Sequence, residues 1–97
     1  MYPSEGMISM QIDAAIVKEQ RVTFAVVIVK PRVTQTQTSA NNMRQSLSRI
    51  ADFHGLPIIL ASQDVRGRFT YQGRSDIVNF LSSISASQIP WKRYRLS

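Results

Sequence analysis

The stretch Gly55–Ile84, GLPIILASQDVRGRFTYQGRSDIVNFLSSI, decides the architecture. Gly55 suits the left-handed residue that closes a helix, and Pro57 forbids its continuation. Ile58–Ala61 is an unbroken apolar run of strand length, and Asp64–Gly67 supplies a turn. Phe69 and Tyr71 alternate with Arg68, Thr70 and Gln72, so the next strand has one exposed face. Ser75 is placed to cap a last helix, with Asp76 complementing its dipole. Ile77, Phe80, Leu81 and Ile84 form that helix's apolar stripe.

Upstream, residues 1–7 contain Pro3 and Gly6 and are expected to be mobile. From Ile8 the pattern alternates: Ile8, Met10, Ile12, Ala14 and Ile16 share one face of a strand, and Asp13 lies on the other. Lys18–Arg21 is short enough for a hairpin turn, across which Asp13 can pair with Lys18, Arg21 or Lys30. Val22–Val29, VTFAVVIV, is nearly continuous in β-branched and apolar residues, which places it centrally in a sheet. Lys30-Pro31 ends it, and residues 32–38 read as a loop. Thr38 or Ser39 can cap a helix whose stripe is Met43, Leu47, Ile50, Ala51 and His54, with Arg44, Arg49 and Asp52 lying away from it.

The order is therefore ββαββα in an α+β fold, a single domain over residues 1–97. A helical crossover makes the strands on either side of it parallel, while the two hairpins are antiparallel, giving a mixed four-stranded sheet with two helices. With both helices on one face this is a two-layer sandwich. Its other face would then expose Phe24, Val26 and Ile28 or their neighbours, a surface for a second copy of the chain.

The composition excludes some chemistry. There are no cysteines, so neither disulfides nor thiolate metal sites hold the fold. His54 is the sole histidine, which leaves no histidine pair for a metal. No G-x-S-x-G elbow, S-x-x-K or phosphate-binding glycine fingerprint occurs. No apolar run reaches the roughly 20 residues of a spanning helix, and no secretory signal opens the chain, so a cytoplasmic protein is expected. Twelve cations against six acids give a net charge of +6, which attracts polyanions and also aids solubility. Nine of the twelve are arginine, the cation suited to bidentate phosphate or carboxylate contacts.

The run GLPIIL, a polar turn and RFTYQGRSDIVNFL resemble the closing half of a thioredoxin-like domain, about 30 residues of the chain. The resemblance implies a Gly-x-Pro strand, a hairpin, a glycine corner and a final helix, with Pro57 at the family's cis-proline position. Its dithiol chemistry is excluded, because no Cys-x-x-Cys exists. As a helix breaker, Pro57 is equally at home with a trans bond. The segment is also similar to small bacterial proteins without an assigned activity, which implies no mechanism.

Two groups of residues carry candidate chemistry. Arg66, Arg68 and Arg74, with Asp64, sit at glycine-rich corners where backbone and guanidinium groups could hold an anion or a protein partner; alternatively they form salt-bridged turns. Trp91, Lys92, Arg93, Tyr94 and Arg95, in a basic aromatic tail over residues 86–97, interleave rings with cations as single-stranded nucleic-acid binders do. Alternatively Ile89, Trp91, Tyr94 and Leu96 close the core while the charges face water. The leading expectation is a non-enzymatic interaction module, without cofactor, metal or membrane partner, that self-associates as a homodimer through its sheet. A nucleic-acid binder using the arginine turns and the tail is one alternative. A non-redox thioredoxin-like domain that binds an anionic ligand is the other.

Overall fold

The computed structural model describes residues 10–19 and 21–96. The stretch expected to be mobile, residues 1–7, lies outside them. The elements run β1 (Met10–Glu19), β2 (Val22–Ile28), α1 (Gln37–Leu47), β3 (Ile58–Gln63), β4 (Phe69–Gln72), α2 (Ser75–Ser82) and β5 (Lys92–Leu96). The fold is α+β with a mixed sheet of order β4-β3-β2-β1-β5. Only β2 and β3 are parallel, joined through α1; the other neighbours are antiparallel.

The sheet has five strands rather than four. Within the basic aromatic tail, Ala86–Gln88 makes a 3₁₀ turn and β5 adds to the open edge of β1, pairing Ile12 with Tyr94 and Asp13 with Arg93. The helices also lie on opposite faces, so the molecule has three layers rather than two. Ala40 and Leu47 of α1 pack with Ile12, Ala14, Ala25, Val27, Ile58 and Leu60. Ile77 and Leu81 of α2 pack with Ala15, Phe24, Val26, Ile59 and Ala61. These two sets alternate along each strand, as side chains on opposite sheet faces must. Phe24 and Val26, expected on a free face, are 2% and 0% exposed beneath α2 and the segment that follows it. The apolar face on which self-association was expected is thus already covered.

Helix α1 differs from its expected span. Thr36, not Thr38 or Ser39, is the cap, its Oγ accepting from Ser39 N at 3.0 Å. At the expected loop over residues 32–38, Pro31–Thr34 is a 3₁₀ turn, and the helix begins at Gln37. The helix ends at Leu47, where Ser46 and Ser48 propagate it poorly and Ile50 turns extended. A 3₁₀ turn, Ala51–Phe53, then buries Phe53 and leaves Ala51 and His54 exposed, so the projected stripe breaks after Ile50. Gly55, at φ +77°, closes this turn rather than α1. All described peptide bonds are trans, including the one before Pro57.

The β1–β2 hairpin pairs Glu19 with Val22 and places Arg21 at φ +70°, a left-handed conformation that side chains resist. Aromatic rings fasten β5 on both faces. Tyr94 packs on Phe53 with centroids 5.0 Å apart, and Trp91, just before the strand, stacks on Phe69 of β4 at 5.8 Å.

Candidate functional site

Asp64 builds the β3–β4 turn. Its Oδ1 accepts from the backbone N–H groups of Arg66 and Arg68, both at 2.9 Å, and Gly67 N donates to Asp64 O at 3.0 Å. Gly67, at φ +85°, supplies the left-handed residue with which such short loops close. The N–H of Arg68 is the main cause holding the Asp64 carboxyl below its ordinary range, with Arg66 N–H and the Arg68 charge assisting. The Arg68 guanidinium is 3.6 Å from Asp64 Oδ2, a loose contact between exposed groups. The Arg66 and Val65 side chains project into solvent.

Arg74 does not join them. It is at the N-cap position of α2 and grips Asp76 in the first turn, Nε to Oδ1 and Nη2 to Oδ2, each at 2.8 Å. This fork lowers the Asp76 carboxyl pKa and raises that of Arg74. Ser75, the expected cap, is inside the helix. Because Arg68 and Arg74 flank the two ends of extended β4, six residues place them about 20 Å apart. The three arginines therefore do not surround one anion.

The arginine that does enter a groove is Arg44, which the helical pattern placed away from the core. Its Nε donates to Ile58 O at 2.9 Å and its Nη2 to Gln72 O at 2.8 Å; Nη2 also meets Gln72 Oε1. A long contact of 3.4 Å joins Nη1 to Asn41 Oδ1. Burial without a carboxylate partner depresses its pKa. Gly73 makes room for it: at φ +152°, a Cβ there would lie 2.6 Å from Ile59 Cδ1 and 3.3 Å from Arg44 Nη2. The groove alongside holds about 400 Å³, with Gln37, Gly73 and Arg74 among its walls. Most Arg44 donors are engaged by neutral oxygens of β3 and β4, and Arg74 by Asp76. Arg44 is thus a clamp between α1 and the sheet. Its partners lie 14 and 28 residues away, so no local pattern announces the role.

The aromatic residues of the basic tail are structural. Trp91 donates Nε1–H to Ala86 O at 3.0 Å while stacking on Phe69, and Tyr94 belongs to the α1-side core. Both rings are half-buried, each with one neighbouring ring of the fold against it. The cations remain outside. Lys92 lies 5.6 Å from the Tyr94 ring centroid, and Arg93 meets Asp13 Oδ1 and Gln11 Oε1, each at 3.2 Å. Asp13 thus pairs with Arg93 of β5, not with Lys18, Arg21 or Lys30 across the hairpin. Charges along an exposed edge strand also discourage another strand from adding to it.

A different cationic grouping follows from the topology. Lys30 and Arg32 follow the C-terminal end of β2, and Arg66 and Arg68 follow that of β3, which is parallel to it. Strand β5, antiparallel to β1, also points the same way and carries Arg93 and Arg95. Six exposed cations thus gather at one end of the sheet, where Asp64 and Asp13 are the acids among the described residues and are already engaged. Lys30, Arg32, Arg66 and Arg95 have no carboxylate partner among the described residues. The opposite end carries Glu19, Asp52 and Asp76 among its cations. Sequence reasoning missed Lys30 and Arg32 because only the parallel pairing of β2 and β3 brings them beside residues more than thirty positions later.

Among the described residues no group of three or more His, Asp or Glu side chains converges. Nor, among the described residues, is any helix long and apolar enough to cross a membrane. No protein-family model, curated protein or solved structure matches the chain.

Proposed function

We propose that the protein is a non-enzymatic nucleic-acid-binding module that holds the phosphate backbone at the cationic end of its sheet. The observation that carries this reading is the gathering of Lys30, Arg32, Arg66, Arg68, Arg93 and Arg95 from three separate parts of the chain. The sheet is five strands wide, so the cations span up to about 19 Å, or about five base steps along a duplex axis. Arginine predominates, and its planar fork suits phosphate oxygens. With Trp91 and Tyr94 packed into the fold, recognition rests on charge rather than on base stacking, and duplex and single strand should both bind.

The test is anisotropy of a labelled 20-base-pair duplex and of one of its strands at 50 and 200 mM salt. Binding should weaken with salt at a log–log slope of about −4 on the duplex, corresponding to four or five phosphate contacts. Neutralising the four cations without carboxylate partners (K30Q, R32Q, R66Q and R95Q together) should flatten that slope. Absence of binding at 50 mM salt, or an unchanged slope in the variant, overturns the proposal. The R74Q variant, altered at the other end of β4, should bind as the parent does.

A further inference from the structure

At the same end of the sheet, but on the α1 side, Lys30, Arg32 and Val33 form one wall of a groove of about 440 Å³. Val33 of the 3₁₀ turn, Val29 beyond β2, and Met43 and Leu47 of α1 supply apolar walls, while Lys30 and Arg32 flank it. Val29, Val33 and Met43 pack against the core yet remain only half-buried, so apolar surface lines an opening instead of being sealed inside. The cationic rim is held in place: Val33 N donates to Lys30 O at 2.9 Å and Thr34 Oγ1 to Pro31 O at 3.1 Å, while Pro31 fixes the first backbone angle of the turn. Among the described residues no carboxylate lines the groove, and neither rim cation has a carboxylate partner.

From this combination we infer that the groove binds a small amphipathic anion, one unbranched apolar chain ending in a carboxylate. Its volume lies within the range of small-molecule pockets, which are mostly apolar with a few placed polar groups. The unbranched, polarizable side chain of Met43 can adapt to a flexible tail. A carboxylate head at the rim meets Lys30 and Arg32, whereas a cationic head meets two like charges. The inference does not rest on nucleic-acid binding, although the two ligands would compete for Lys30 and Arg32.

The experiment titrates the full chain, labelled with ¹³C at its methionine methyl groups, with hexanoate, octanoate and decanoate below their aggregation limits. The Met43 methyl resonance should shift saturably, and the dissociation constant should fall about fourfold for each added methylene until the groove is filled. The K30Q/R32Q pair should weaken decanoate roughly fivefold to tenfold, as expected for two exposed charge contacts. V33F, which fills the groove without changing charge, should abolish the Met43 shift and leave duplex binding unchanged; failure of the two readings is therefore distinguishable. Should V33F not fold, decyltrimethylammonium on the parent protein serves instead, and it should produce no saturable shift. Equal binding of that cation, a non-saturating shift, or binding only to anionic phospholipid vesicles overturns the inference.

Discussion

The Tyr94 ring meets the Phe53 ring at a centroid distance of 5.0 Å and an angle of 58°, so the last strand is fastened to the turn that precedes β3. Tilted aromatic contacts of this kind add to the burial of the rings themselves. Y94A should lower unfolding stability by about 2 kcal/mol in urea titrations, less than a fully buried aromatic because Tyr94 is half-buried. Y94F should be close to neutral. Duplex affinity of folded Y94A should be unchanged; a base-stacking platform would instead lose binding with little loss of stability.

The Arg44 clamp predicts a cost that charge alone does not explain. R44M leaves Ile58 O and Gln72 O without their donor and should destabilise the protein by about 2 kcal/mol. R44K should recover less than half of that, because an ammonium cannot reproduce the fork that reaches both strands. G73A should act in the same direction, since its Cβ would strike Ile59 and press on the guanidinium.

Asp64 and Asp76 make stability depend on acid. Both carboxyls have folded-state pKa values below their ordinary range, Asp64 chiefly through the Arg68 N–H and Asp76 chiefly through the Arg74 side chain. A depressed carboxylate pKa contributes stability that is complete above about pH 5. It is lost as pH falls below about 4 toward the folded value. D64N/D76N should therefore show a flatter stability profile than the parent between pH 5 and pH 2. D64A should melt several degrees lower at neutral pH, whereas D64N, whose amide oxygen can still accept both N–H groups, should melt close to the parent.

Arg21 holds a backbone conformation at φ +70° that glycine adopts without steric conflict. R21G should raise stability by up to about 1 kcal/mol, offset in part by the freer unfolded chain. In a domain of this size that is a rise of about 4–8 °C in Tm, readable by calorimetry. A fall in Tm would show that the arginine side chain contributes more than its backbone costs.

Much of the fold is written locally. The continuous run from Val22 and the punctuated Gly55–Ile84 stretch identify a central strand, β3, β4 and α2 close to their observed bounds. The face on which α2 docks is not written in the helix itself, because a stripe says which residues are apolar and not which side of a sheet they meet. The clue lay in β3, where Ile58, Ile59, Leu60 and Ala61 are all buried: an unbroken apolar strand implies cover on both faces. Strand β5 was harder to read, since Lys92, Arg93 and Arg95 mask its character and its partner is remote. The candidate site divides the same way. Arg66 and Arg68 were visible at their turn, whereas Lys30 and Arg32 join them only through the topology.

The β1–β5 ladder has a kinetic consequence. Arg93 reaches Asp13 and Gln11 over separations of 80 and 82 residues, whereas the two hairpins close over a few. Loops of that length close later and at greater entropic cost than hairpin turns. Until β5 arrives, β1 presents its unpaired edge to any other chain nearby, which is the hazard of a slow-forming sheet. The refolding rate should therefore be most sensitive to substitutions that weaken the docking of β5. The cations of β5 then make the finished edge a poor template for the next strand.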